Sequence, residues 1–270
     1  YKKGEFQLLL FASPLYIPNQ GANIEVRDGD LVSANRWFRN RAKDVQVASG
    51  SSKLSYELDR PDIGNIVKQE SYAGMMRFGR VNRGFWLQAA YAFKPQNILH
   101  YAFDPTQKIT ALSSQTVVKV QPIVVDHHLY STELGFTHGA LQTWFAVSHE
   151  RPINPNLPTS LYVAQLPEVT FAGGHIGLEL DRLGFKYTRI SGGMLKKWDS
   201  GVVYPKSSIF DSKETYVERY PFATAVMLRL DNLIKNLGQA NLETSLKYIY
   251  SPEEQGSILS LSTEYQTYKR

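Results

Sequence analysis

Gly84-Phe85-Trp86-Leu87-Gln88-Ala89-Ala90-Tyr91-Ala92-Phe93 is the stretch on which the fold turns. An extended chain points successive side chains to opposite faces, so polarity with a period of two marks a strand with one apolar side. Here Phe85, Leu87, Ala89, Tyr91 and Phe93 share one face, while Trp86, Gln88, Ala90 and Ala92 share the other. The pattern recurs along the chain. Tyr130, Thr132, Leu134 and Phe136 oppose Ser131, Glu133, Gly135 and Thr137, and Leu141, Thr143, Phe145 and Val147 oppose Gln142, Trp144, Ala146 and Ser148. Ile176, Leu178 and Leu180 oppose His175, Gly177, Glu179 and Asp181. Phe222, Thr224, Val226, Leu228 and Leu230 oppose Ala223, Ala225, Met227 and Arg229. Leu242, Thr244, Leu246, Tyr248 and Tyr250 oppose Glu243, Ser245, Lys247 and Ile249, and Leu259, Leu261, Thr263 and Tyr265 oppose Ser260, Ser262 and Glu264.

Two kinds of link separate these segments. Asn82-Arg83-Gly84, His138-Gly139 and Arg182-Leu183-Gly184 read as tight hairpins, since glycine reaches positive φ at little steric cost. Longer polar links are expected around 94–115, 151–158 and 191–218. Less regular strands are expected at 7–13, 53–59, 68–80 and 116–125, with only a short helical turn at 231–236. The sum is an all-β chain of about 12 strands, roughly ten to fourteen, which a single antiparallel up-and-down barrel would close. No linker, low-complexity tract or long repeat divides residues 1–270, so one domain is expected.

Composition narrows the class. No run approaches the roughly 18 consecutive apolar residues of a membrane helix, which excludes a helical membrane protein. A mean hydropathy of -0.30 does not exclude a membrane barrel, whose strands need apolar residues only at alternate positions. Cysteine is absent, removing disulfides, thiolate catalysis and cysteine-ligated zinc together. A formal charge of +5, assembled from 30 basic and 25 acidic residues spread along the chain, leaves no nucleic-acid footprint. The sequence begins at Tyr1, which fits a removed signal segment or a sequence boundary.

Which face is dry separates a soluble β protein from a membrane barrel. The polar parity carries charge of both signs at Arg77, Glu133, Glu179, Asp181, Arg229, Glu243, Lys247 and Glu264. Inside a barrel such groups can pair across a hydrated lumen, whereas Lys or Arg facing lipid costs roughly 2–4 kcal/mol at mid-bilayer. Tyr91, Phe93, Tyr130, Phe136, Tyr248, Tyr250 and Tyr265 sit on the apolar parity near strand ends, where interfacial aromatic girdles belong. A soluble sandwich would instead turn that parity into a shared core.

Gly-His-Ile-Gly-Leu-Glu-Leu-Asp (174–181), Leu-Gly-Phe-Lys-Tyr-Thr-Arg-Ile (183–190) and Ser-Ile-Leu-Ser-Leu-Ser-Thr-Glu-Tyr (257–265) resemble strands of Gram-negative outer-membrane barrels of the porin-like class. The resemblance covers most of the chain and is to an architecture. It implies an outer-membrane location, contact with outer-membrane lipid including lipopolysaccharide, and passage of a small polar solute or attachment of an envelope protein. That class commonly ends on an aromatic residue, whereas this sequence stops at Thr267-Tyr268-Lys269-Arg270, implying a longer chain or an atypical assembly signal.

Arg36, Trp37, Phe38, Arg39 and Arg41 form the densest basic and aromatic cluster, fit for anionic headgroups, a glycan or a partner, or simply for packing on a rim. Asp126-His127-His128 has ligand types, but adjacent histidines on a strand face opposite ways and no further ligand pattern follows, so no metal site is assigned. Ser148-His149-Glu150 has the residue types of a triad, yet strand neighbours cannot converge on one substrate and no nucleophile elbow is present. The expectation is a non-enzymatic pore or membrane anchor without cofactor, with an outer-membrane hydrolase or a soluble ligand-binding barrel as alternatives.

Overall fold

The structure, a computed structural model, describes residues 2–3, 5–16, 24–33, 43–47, 50–59, 63–96, 100–110, 113–154, 166–181, 184–199, 223–237, 240–253 and 255–267. The chain is all-β and mostly antiparallel, with one helical turn among the described residues, α1 (Ile63–Val67). In order the strands are β1 (Lys2–Lys3), β2 (Phe6–Ser13), β3 (Ile24–Arg27), β4 (Asp30–Ser33), β5 (Asp44–Val47), β6 (Gly50–Leu58), β7 (Ser71–Arg80), β8 (Arg83–Pro95) and β9 (His100–Thr110). Then follow β10 (Ser113–Ile123), β11 (Asp126–His138), β12 (Leu141–Ile153), β13 (Val169–Glu179), β14 (Thr188–Asp199), β15 (Thr224–Leu237), β16 (Ala240–Ser251) and β17 (Gly256–Thr267).

Eleven of them form one sheet in the order β1-β2-β7-β8-β11-β12-β13-β14-β15-β16-β17, every neighbouring pair antiparallel. Among the described residues no pairing joins β17 to β1 or β2. Links on one rim are short, at 81–82, 139–140, 180–187 and 238–239. Links on the other rim, at 14–70, 96–125, 154–168 and 200–223, are long, with a tight return only at 252–255.

The two longest links build a second, four-stranded sheet in the order β5-β6-β10-β9, in which β6 and β10 run parallel. This corrects two expectations. The chain is not one meander, and residues 94–115 are not a loop but hold the end of β8, all of β9 and the start of β10. Asp104-Pro105-Thr106-Gln107-Lys108 has no apolar side to signal a strand; pairing with β10 supplies the order, and Pro105 is tolerated because β9 is an edge. Similarly, 191–218 begins as β14, whose Gly192-Gly193 and Lys196-Lys197 blur the alternation, and 231–236 is strand rather than helical turn, held by β16.

Among the described residues, the buried apolar cluster is built by this small sheet together with the separate β3-β4 hairpin. Leu54 and Tyr56 on β6, Val118 and Val120 on β10 and Leu31 on β4 form a buried cluster, flanked by Val26, Tyr101 and Phe103. Ser52 and Thr116 extend the same face, their hydroxyls 3.2 Å apart. The large sheet behaves oppositely: Phe85 is 71% exposed, Leu134 50%, Leu178 39% and Leu246 42%. These apolar residues do not converge on a dry centre, as a soluble sandwich would require.

Candidate functional site

The outward face of the large sheet carries its large apolar side chains in bands. Towards the long-link rim, Tyr72 stacks on Phe93 at 5.1 Å, Tyr91 lies 5.2 Å from Tyr130, and the Tyr91 hydroxyl meets His128 Nδ1 at 2.9 Å. Towards the short-link rim, Phe85 meets Phe136 at 4.6 Å and Phe6 meets Phe78 at 4.9 Å. Between them the face is mostly aliphatic, with Met76, Leu87, Leu134, Phe145, Val147, Met194 and Leu228 all exposed. Strands β8, β11 and β12 each have 13 residues, more than the roughly 9–11 that a tilted strand needs to cross a bilayer.

The inward face is polar in its short-rim half. Arg77 on β7 donates to Gln7 on β2, and Arg189 on β14 reaches across β13 to donate to Gln142 on β12 at 2.6 Å. Arg189 can lie there because Gly177 has no side chain: a Cβ would stand 2.6 Å from its Nη2. Glu5, Gln7, Arg77, Arg80 and Gln142 line one hollow of about 500 Å³, although β2 and β12 are not neighbours, so the inward face is concave. Arg229 pairs with Asp231 at 2.7 Å. Trp86 is buried inward, its indole flat on Gly135, where a Cβ would approach to 2.2 Å.

The long-rim half of that face is different. Leu9, Phe11, Ala73, Met75, Ala90, Ala92 and Leu129 line a second hollow of about 330 Å³, bordered by Ser131 and Ser148. Beyond it, at the rim, His127 and Glu150 form a buried pair, and Gln96, also buried, accepts from the Tyr16 hydroxyl through its carbonyl. Burial raises the Tyr16 phenol above its ordinary range. On the outer edge of this rim, Lys196 and Thr224 both bond the Glu253 carboxylate, and chiefly the Lys196 bond holds Glu253 below the usual carboxylate range.

Of the residues singled out in the sequence, Arg77, Glu133, Glu179, Arg229, Glu243, Lys247 and Glu264 all share the inward parity through direct cross-strand pairing. Asp181 is not on a strand: it lies in the link after β13, where its Oδ1 accepts from the Tyr187 amide at 2.5 Å. Arg36, Trp37, Phe38, Arg39 and Arg41 lie outside the described residues. The two short motifs split and recombine. His128 and His149 face outward, His149 bonding Thr170 at 2.9 Å, while His127 and Glu150, drawn from different motifs, meet inside. Among the described residues no group of three or more His, Cys, Asp or Glu could hold a metal ion.

Sequence reasoning missed Arg189, the His127–Glu150 pair and the apolar inner hollow. Only the last left a signal, since Leu8-Leu9-Leu10-Phe11 is apolar on both parities. Comparison with protein-family models, with characterised proteins and with solved structures returned no match.

Proposed function

We propose that the large sheet is the wall of a transmembrane barrel in a Gram-negative outer membrane, closing through β17 and the β1-β2 edge, and that it serves as a pore or as an envelope anchor. The carrying observation is the inverted burial, with Phe85 and its outward row exposed while Arg77, Arg189 and Arg229 lie inward. Exposed apolar patches on soluble monomers rarely exceed a few hundred Å², and this one runs across ten strands. A bilayer removes that cost, and the paired aromatic bands fit its two interfaces.

Rim asymmetry supports the same reading, since membrane barrels join strands by short turns on one side and long loops on the other. In that arrangement the small sheet stands outside the hydrocarbon, where its own core makes it stable in water. Vesicle flotation tests the proposal. Purified protein refolded with phosphatidylcholine vesicles should float with them and resist carbonate extraction, and protein left monodisperse in detergent-free buffer would contradict it. Planar-bilayer conductance then separates the two roles, discrete current steps marking the pore and a flat baseline the anchor.

A further inference from the structure

The geometry points to a binding site for a single-chain anionic amphiphile, a free fatty-acid-like carboxylate, on the inward face of β2, β7 and β8. The inference rests on the proposed orientation of the sheet only in calling this face the lumen. Its first support is the division of that face. Leu9 and Phe11 project from β2 into the apolar hollow yet remain 54% and 57% exposed there, beside Met75, Ala90 and Leu129. A lumen that carried only small polar solutes would gain nothing from such residues. An acyl chain laid against them would remove this surface from water.

The second support is the charge at the hollow's foot. Arg77 lies two residues from Met75 and four from Ala73 on one strand, so the Cα atoms of Arg77 and Ala73, which lines the apolar hollow, are separated by about 14 Å along β7. That is the scale of a medium-length acyl chain. Among the described residues Arg77 has no carboxylate partner; it donates to the neutral amide of Gln7. Arg189 likewise donates to Gln142, whose side chain borders the same polar hollow. Glu5 lines that hollow but lies 3.9 Å from Arg80, and Glu133 stands two strands from Arg77 with Gln88 between them. Two guanidinium groups with amide partners leave room for a ligand carboxylate, which arginine grips bidentately.

The test uses the full chain in phosphatidylcholine nanodiscs, with radiolabelled dodecanoate as probe, dodecanol as its neutral counterpart, and empty discs subtracted. Dodecanoate should bind saturably, and dodecanol about tenfold more weakly, the discrimination expected of a charge-assisted contact. Arg77→Gln should weaken dodecanoate by about tenfold while leaving dodecanol unchanged, and Arg77→Lys should restore part of the loss. Met75→Trp, which fills the hollow, should weaken both ligands. Far-ultraviolet circular dichroism identifies any variant that fails to fold, and the Arg77 and Met75 variants probe the site independently. Binding no greater than in empty discs, or equal binding by wild type, Arg77→Gln and Met75→Trp, overturns the site. Flotation of the same protein reports separately on the membrane reading: saturable, Arg77-dependent binding by protein that does not float upholds the site and removes the lumen from its description.

Discussion

Trp86 and Gly135 show how closely the inward face is fitted. Trp86 occupies the space that any side chain at position 135 would need, so Gly135→Val should force the indole out or part β8 from β11. Overpacking of this kind costs about 1–3 kcal/mol. Denaturant unfolding followed by tryptophan emission should show that loss, and in a Trp86→Ala background the same substitution should cost much less. Equal cost in both backgrounds would mean that the indole is not what Gly135 accommodates. Glu253 is a second residue with a definite expectation. Its carboxyl is held below the ordinary value, so the tie to Lys196 and Thr224 is fully present above about pH 4.3, the unperturbed glutamate value, and is lost as pH falls through the lowered one. An NMR titration should place the Glu253 midpoint below that of a model peptide, and Lys196→Met should return most of the difference.

At the scale of the element, the two faces of a single strand should respond oppositely to charge. On β11, Leu134 faces out at mid-strand and Glu133 faces in. Leu134→Arg should cost about 2–4 kcal/mol in a bilayer, whereas Glu133→Gln, on the polar side, should change stability by less than about 1 kcal/mol. Equilibrium unfolding from vesicles compares them directly, and a mild Leu134→Arg would place that face away from hydrocarbon. The small sheet should behave as a separate unit of stability. Val118 is fully buried in its core, so Val118→Asp should expose β5, β6, β9 and β10 to protease while β7, β8 and β11 to β17 stay protected.

What was legible in the sequence follows from the same physics. Strands with one greasy and one polar side, such as β8, β11, β12 and β16, announced themselves because their two faces differ most in polarity. Glu133, Glu179, Arg229, Glu243, Lys247 and Glu264 could be assigned to one face from parity alone. Strands whose order comes from their neighbours did not show: β9 lacks an apolar side, β14 is interrupted by glycines and lysines, and the continuation of β15 to Leu237 is enforced by β16. Contacts across the sheet, such as Arg189 over Gly177 or His127 with Glu150, depend on the register between neighbouring strands, which the periodicity within each strand does not encode.

At the scale of the whole molecule, the chain arranges its apolar residues in two opposite ways. A small sheet made from two long links hides its apolar residues from water in the usual way, while the large sheet displays its own on the outside. The proposed barrel reconciles these, because a hydrocarbon environment around the large sheet makes both arrangements favourable at once. Spin labels placed singly from 129 to 137 on β11, in protein reconstituted into phosphatidylcholine bilayers, test this most directly. Collision with oxygen, which concentrates in hydrocarbon, should peak at Tyr130, Thr132, Leu134 and Phe136, and collision with a water-soluble nickel chelate should peak at Ser131, Glu133 and Gly135. Chelate collisions equal at both parities, or highest at Leu134, would contradict the account.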